Sequence, residues 1–220
     1  MNETLAREEI CRIGKSLFER GYVHASAGNI SVRLDDGFLI TPTDACLGFL
    51  DPARLARLDR EGRQSGGDKG SKTIALHTRI YDATAGFAQV PHCVLHTHST
   101  YCVALTLAHH GDELLAPITP YFVMKVGHVP VIPYHFPGDP QAAERVAEAI
   151  ALHAARGLEL RAVMLARLGP TVWHQSPAAA MATLEELEET AQLVALRPAS
   201  VNPLSPEQLH DLQRQFGARW

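Results

Sequence analysis

Two histidines that flank a single threonine are the first residues in this sequence that could do chemistry. They are His96 and His98, in the segment VLHTHST at residues 94–100. In a β-strand, residues two apart point to the same face, so both imidazoles would face one space. Neutral imidazoles are common zinc ligands, whereas burying two of them without partners would cost stability. The spacing leaves two interpretations open: half of a metal site, or two core histidines that hydrogen-bond to the backbone.

Small hydroxyl residues and glycines at two strand ends and one helix start could bind an anion. The strand ends are ASAGNISV at residues 25–32 and ITPT at residues 40–43. The helix start, DKGSKT at residues 68–73, adds a lysine and the first amides of a predicted helix. Taken alone, each segment also fits ordinary turn or capping chemistry. The candidate residues are Ser26, Gly28, Asn29, Thr41, Thr43, Ser71 and Lys72.

The composition is that of a globular protein and argues against several classes of function. The chain has 220 residues, 46% hydrophobic and 20% charged, with a net charge of -4. It has no basic stripe, so we expect no nucleic-acid partner, and its apolar runs are too short to cross a membrane. The four cysteines form no C-x-x-C pair. We expect one domain over residues 1–220, in the cytoplasm.

Hydrophobic periodicity and turn residues predict alternating helices and strands, several of them joined by tight turns. Helices are predicted over 4–20, 71–85, 100–108, from Asp139-Pro140 to Gly157, from Ser176-Pro177 to Leu196, and from Pro206 onward. Strands are predicted in NISVRL and FLITPT around the hairpin dipeptide Asp36-Gly37, and in CVLHTHS, YFVMKV, VPVIPY, AVML and GPTVW. Residues 59–70 are predicted to be loosely structured. This pattern favours an α/β sandwich with substantial antiparallel pairing.

A series of segments in order along the chain resembles the class II aldolase/adducin family, from the branch typified by 3-oxo-tetronate 4-phosphate decarboxylase. The segments are RGYVHASAGNISV, LITPTDACLGFLDP, SGGDKGSK, VLHTHST, TPYFVMKVGHVPVIPYHFPGD and LEELEETAQL. The resemblance implies an α/β/α sandwich around a mainly antiparallel central sheet. It also implies a homotetramer with active sites between subunits, and a metal-dependent decarboxylase or aldolase acting through an enediolate on a small sugar acid, either phosphorylated or not.

The same resemblance implies roles for individual residues. His96 and His98 match two of three histidines that hold Zn²⁺ or another divalent metal. Lys72 and Tyr121 match residues near the reacting substrate. The remaining matches line the phosphate pocket, at Ser26, Gly28, Asn29, Thr43, Asp44 and Ser71.

Three departures from the family pattern fall on the chemistry. Thr73 stands where the family has its catalytic glutamate, four residues before His77. Leu168 stands where the third zinc histidine usually lies, in an H-G turn. Asp44 replaces the glycine of a TPTG phosphate loop and brings a negative charge toward a bound phosphate. We therefore expect weakly bound zinc and low or no activity on the branch's phosphorylated 3-oxo acid.

Other residues could complete the metal site, and a different function stays open. The candidates for a further ligand are His24, His128, His135, His174 and Asp44. The alternative to an enzyme is a diverged family member that binds a ligand or scaffolds a partner. We favour the metal-dependent lyase because most of the matching pocket residues are present.

Overall fold

An eight-stranded sheet forms the centre of the fold. The computed structural model describes residues 2–108, 111–197 and 201–220. The strands lie in the order β4-β3-β2-β1-β5-β8-β7-β6. They are β1 (Asn29–Leu34), β2 (Gly37–Ile40), β3 (Ala56–Asp59), β4 (Gln64–Gly66), β5 (Cys93–His96), β6 (Val131–Ile132), β7 (Ala162–Leu165) and β8 (Gly169–His174).

Two layers of helices cover the two faces of this sheet. The helices are α1 (Glu3–Glu19), α2 (Ile74–Ala83), α3 (Thr100–Thr106), α4 (Pro120–Lys125), α5 (Pro140–Ala154), α6 (Pro177–Ala195) and α7 (Pro206–Phe216). One core cluster packs α1, α3, α4 and α6 against one face, through side chains such as Leu95 and Met164. A second cluster packs α2 and α5 against the other face, through Val94 and Val163. The alternation of neighbouring residues between the clusters gives the predicted α/β/α sandwich.

The sheet is mixed, with antiparallel pairing throughout except at one edge. Strands β6 and β7 are parallel, and every other neighbouring pair is antiparallel. The predicted hairpin joins β1 to β2 through Asp35 and Asp36, with Gly37 at φ 152° opposite Leu34. The predicted helix after Asp139-Pro140 also forms, because Asp139 accepts a hydrogen bond from the Gln141 N–H at 2.9 Å.

Several local predictions are wrong. The segment YFVMKV, whose residues favour strands, forms most of α4 instead of a strand. A helix starts here because Thr119 accepts a hydrogen bond from the Phe122 N–H at 3.1 Å and Pro120 occupies the first turn. In VPVIPY only Val131–Ile132 is strand. Residues 59–70 are more ordered than predicted, because β4 (Gln64–Gly66) pairs there with β3. Helix α2 begins at Ile74 and not at Ser71.

Candidate active site

A cavity of about 150 Å³ lies at the end of β5, on the face of the sheet that α2 and α5 cover. Its lining includes Asn29 from the start of β1, both histidines of VLHTHST, and the start of α2. The loop before α5 and the turn between β7 and β8 close the other sides, through Phe136 and Leu168. The cavity thus collects residues that are far apart in sequence, from the ends of three strands and two helices.

His96 and His98 face this cavity together, as strand alternation predicts. His96 is the last residue of β5 and is 6% exposed, and His98 follows the strand end. Their ring centroids are 5.2 Å apart, with the planes at 72°. The Nδ1 atom of His96 hydrogen-bonds the Thr171 hydroxyl at 2.9 Å, which fixes the ring. Burial, and then the nearby His98, lower the pKa of His96 to about 3, so its imidazole is neutral at physiological pH.

A third buried histidine, His77, lies beside this pair and was missed as a site residue from the sequence. It is fully buried, and its Nδ1 hydrogen-bonds the Ser31 hydroxyl at 2.8 Å, which in turn bonds the Tyr81 hydroxyl at 2.8 Å. Burial, and then His96, lower the pKa of His77 to about 3. The signal in the sequence was its position four residues after Thr73, on the same face of a helix.

Two buried polar atoms, one on the cavity-lining Asn29 and one on the His77 ring near His96, have no hydrogen-bond partner among the described residues. They are Nε2 of His77 and Oδ1 of Asn29. Asn29 pairs with His96 across β1 and β5, so its side chain lies at the same end of the sheet. Buried polar atoms in native proteins are nearly always paired. Such unpaired atoms beside a cavity indicate a site prepared for a polar ligand.

The family's third metal histidine has no counterpart here, and the Leu168 side chain that replaces it lines the cavity. Among the described residues, one group of three His, Cys, Asp or Glu side chains has its ligand atoms within 4.8 Å of one another, and it contains neither His96 nor His98. A catalytic zinc site normally has three protein ligands. The described side chains therefore offer two imidazoles and fall short of that set.

The other proposed ligands are distributed around the fold. His24 is near the pair, with its ring centroid 6.5 Å from that of His98. His135 hydrogen-bonds Asp139 at 2.8 Å, and Asp139 lines the cavity. His174 pairs with Cys93, the residue of β5 farthest from His96. His128 lies beyond the opposite end of the sheet. Within one subunit, His128 and His174 therefore lie away from the pair, and a contribution from either would have to come across a subunit boundary.

Lys72 and Thr73 line the cavity at the start of α2. Thr73 holds the N-cap position, and its hydroxyl hydrogen-bonds that of Ser71 at 2.9 Å. Thus Ser71 orders the helix start without itself lining the cavity. A threonine hydroxyl does not titrate near neutral pH, so Thr73 supplies no carboxylate base.

Three other residues predicted to line a phosphate pocket, Gly28, Thr43 and Asp44, belong to loops and do not line the cavity. Gly28 has φ +87°, and a Cβ there would lie 2.9 Å from the His96 carbonyl oxygen, so only glycine fits. The Thr43 N–H donates to the Lys69 carbonyl at 2.8 Å and joins the ITPT and DKGSK loops. Asp44 is exposed, with φ +55°. This left-handed conformation favours glycine and is tolerated by aspartate, which explains both the family pattern and this departure.

Ser26 and Tyr121 are not brought into the cavity. Ser26 is exposed in the turn before β1. Tyr121 is 63% exposed on α4, which packs on the opposite face of the sheet. Within one subunit, neither residue contacts the space that His96 and His98 line.

Comparison with known proteins assigns the chain to a family. Residues 8–195 match the Class II Aldolase and Adducin N-terminal domain family, and the chain belongs to that family. Members of this family typically bind a divalent metal. None of the described helices is long and apolar enough to span a membrane.

Several relatives are decarboxylases by name. A 3-oxo-tetronate 4-phosphate decarboxylase from Cupriavidus necator is 52% identical, over 99% of this chain and 99% of the relative. One from Escherichia coli K12 is 42% identical over 87% of each chain. The crystal structure of YgbL from Escherichia coli superposes with a TM-score of 0.85 at 38% identity, covering 96% of this chain and 99% of that one. The fold and the class of enzyme expected from the sequence, a carbon–carbon lyase, agree with these relatives.

Proposed function

We propose that this chain is a carbon–carbon lyase that decarboxylates a phosphorylated 3-oxo sugar acid in the cavity beside His96 and His98. The names of the relatives with 42–52% identity support this substrate class. The observation that carries the proposal is the cavity itself, where two imidazoles and a lysine meet Asn29, whose buried Oδ1 has no partner among the described residues. Such convergent polar groups in a small pocket are typical of a substrate site.

The start of α2 favours decarboxylation over aldol cleavage. Retro-aldol cleavage begins when a base removes the proton of the substrate's β-hydroxyl group, and Thr73 cannot serve as that base. A 3-oxo acid needs no such base. Its C1–C2 bond breaks, carbon dioxide leaves, and the electron pair moves to the C3 carbonyl oxygen to form an enediolate. Protonation at C2 then gives a three-carbon ketone phosphate.

The chain's own residues suit each stage of this reaction. Lys72 lies on the cavity wall, where its ammonium group can bind the substrate carboxylate. His96 is a rigid, neutral imidazole with one ring nitrogen left free by Thr171. Without metal, this nitrogen can donate a hydrogen bond to the oxygen on which negative charge develops; with metal bound it would be a ligand instead, and the ion would stabilise that charge. The cavity is partly apolar, through Leu76, Leu165 and Leu168, which strengthens these polar contacts. The substrate phosphate would extend toward the Gly28 and Thr43 loops.

A divalent metal, with zinc as our choice, would be held here by His96 and His98 alone. Two protein ligands make a weak site, so we propose loose binding and a turnover rate below that of family members with three histidines. When bound, such an ion polarises a carbonyl as a Lewis acid. The neutral, buried imidazoles fit this role, and the leucine at position 168 does not.

The assembly we propose is a homotetramer in the cytoplasm. Exposure of Tyr121 on the face away from its own cavity supports a role at a neighbouring subunit's site. The four cysteines are free, as expected in a reducing compartment.

Carbon dioxide release from a four-carbon 3-oxo acid 4-phosphate tests the proposed reaction. We expect Lys72→Ala to reduce this rate at least about 10-fold, since a positive charge near the carboxylate is lost. Lys69→Ala is the matched control, because Lys69 is exposed in the same loop but does not line the cavity. Equal rates for the two variants and the parent chain would contradict the proposed site.

The alternative is a diverged member that binds the sugar acid without cleaving it. The replacements at Thr73 and Leu168 favour this alternative specifically. Saturable binding of the substrate, without carbon dioxide release above the uncatalysed rate, would support it.

A further inference from the structure

A second group of potential metal ligands lies outside the lyase cavity. Glu113, His128 and His153 have ligand atoms that all lie within 4.8 Å of one another. They come from the segment before α4, the turn between α4 and β6, and the last turn of α5. His153 is 8% exposed, and the side chains of His128 and Glu113 are 18% and 33% exposed.

This cluster is separated from His96 and His98 by the length of the sheet. Val131 pairs with Met164, so His128, three residues earlier, lies beyond the amino end of β7. The lyase cavity includes Leu165 and Leu168, beyond the carboxyl end of β7. The surface pocket that His128 helps to line shares no residue with the lining of the lyase cavity.

The hydrogen bond of His153 to the backbone leaves its other ring nitrogen close to a carboxylate. Its Nδ1 is 2.8 Å from the Ala149 carbonyl oxygen, which can only accept, so Nδ1 carries the proton. In the neutral ring Nε2 is then an acceptor, and it lies 3.5 Å from Oε1 of Glu113. Two hydrogen-bond acceptors therefore lie 3.5 Å apart and repel each other, whereas a cation between them would attract both.

The distances match those of a tetrahedral metal site. The Glu113 Oε1 atom is 3.1 Å from His128 Nδ1 and 3.5 Å from His153 Nε2. Ligands about 2.0–2.1 Å from a tetrahedral Zn²⁺ are separated by roughly 3.3 Å. These two separations bracket this value, and the two imidazole ligand atoms lie within 4.8 Å of each other, so an ion can be held if the two rings approach slightly.

Neighbouring groups hold two of the three ligands as a metal site requires, while Nε2 of His128 is buried with no hydrogen-bond partner among the described residues. Histidine ligands usually donate their other N–H to a carbonyl, as His153 does to Ala149. The second oxygen of Glu113 accepts the Val129 N–H at 2.8 Å. The His128 ring stacks on Trp220 with centroids 4.3 Å apart. Trp220 lies beyond the residues that match the family, so this contact involves a part of the chain outside that match.

We propose that Glu113, His128 and His153 form a second site for a first-row transition ion, best suited to Zn²⁺, with its fourth position open to solvent or a small ligand. Two imidazoles and one carboxylate are a donor set typical of zinc. The site joins three segments that are not adjacent in sequence and lies beneath the chain end at Trp220, so metal binding stabilises this end of the fold.

Cobalt binding to the full chain tests the proposal directly. In a His96→Ala/His98→Ala background, freed of metal with a chelator, we expect one equivalent of Co²⁺ with the intense visible absorption of tetrahedral coordination. Adding Glu113→Gln, which keeps the side-chain shape, should weaken binding at least about 100-fold. Zn²⁺ at about one hundred times its Kd should raise Tm by about 5–10 °C in the background chain and not in the Glu113→Gln variant.

His174→Gln is the matched control, because His174 is a partly buried histidine at the same end of the sheet and outside the cluster. It should bind Co²⁺ like the background chain, whereas His153→Gln should not. No Co²⁺ binding in the folded background chain would overturn the proposal. Equal binding by the background chain and by folded Glu113→Gln would overturn it as well, and circular dichroism reports folding in each case.

Discussion

Restoring a histidine at position 168 should convert the weak lyase metal site into a tight one. Leu168 follows Arg167 in the turn between β7 and β8, and its side chain lines the same cavity as His96 and His98. The Leu168 N–H donates to the Leu165 carbonyl at 3.0 Å, so the turn holds position 168 in place. An imidazole introduced by Leu168→His would extend into the cavity from a fixed backbone position.

The size of the effect follows from the number of ligands. Zinc binding by four protein ligands is worth about 10–16 kcal/mol, or about 3 kcal/mol for each ligand. Burying the new imidazole consumes part of this energy, so we expect zinc affinity to rise about 100-fold. Without metal, the variant loses apolar packing of a half-buried leucine, and its free energy of unfolding should fall by about 1–2 kcal/mol.

Competition with a chromophoric chelator measures this affinity. The measurement belongs in a Glu113→Gln background, so that the second cluster does not contribute. Leu168→Ala is the control, because it removes the same packing without adding a ligand. Affinities of the Leu168→His and Leu168→Ala chains within 3-fold of each other would refute the placement of a third ligand at this position. Further addition of Thr73→Glu should then raise decarboxylation above the background rate, because a carboxyl group there can supply the proton that the enediolate takes up at C2.

Substitutions at three further positions test other parts of the account. Asp44→Gly and Asp44→Asn each remove a negative charge, so calorimetry should show both variants binding the phosphorylated substrate several-fold more tightly. Asp44→Gly should also raise the free energy of unfolding by up to about 1 kcal/mol, because glycine favours the left-handed conformation. Unchanged affinity for the phosphorylated substrate would argue against a role of this loop in phosphate binding. Glu188→Gln should lower the free energy of unfolding, measured in urea, by about 2–3 kcal/mol. The buried Glu188 carboxylate accepts hydrogen bonds from the Tyr101 and Cys102 N–H groups at 2.8 and 2.9 Å, and the substitution weakens them. A loss of unfolding free energy no larger than that of the exposed control Glu8→Gln would contradict this capping role. Gly169→Ala should unfold the turn beside His98, because its Cβ would lie 1.9 Å from the Thr97 carbonyl oxygen; a normal Tm refutes the clash.

The sequence predicts features that depend on local rules. The hairpin at Asp36-Gly37 and the helix after Asp139-Pro140 follow from turn and capping preferences. The shared direction of His96 and His98 follows from strand alternation, although the strand itself ends at His96. The strand predicted for YFVMKV is wrong because the helix cap at Thr119 outweighs the strand preference of the segment's apolar residues.

Features that depend on distant segments could not be predicted from spacing. His77 becomes a neighbour of His96 only when α2 packs against the sheet. His128 looked like a possible ligand of the first site, but the parallel β6–β7 pairing carries it to the other end of the sheet. Its partners Glu113 and His153 carried no motif, because a ligand set drawn from three elements has no fixed spacing.

The central claim is that this chain decarboxylates in the cavity of His96 and His98 and lacks the base for aldol cleavage. Parallel assays of carbon dioxide release from the 3-oxo acid phosphate, and of aldehyde release from a ketose 1-phosphate, test it most directly. We predict slow carbon dioxide release that His96→Ala abolishes, with no aldehyde above background. Aldehyde release by the parent chain, or carbon dioxide release that His96→Ala leaves intact, would contradict the account.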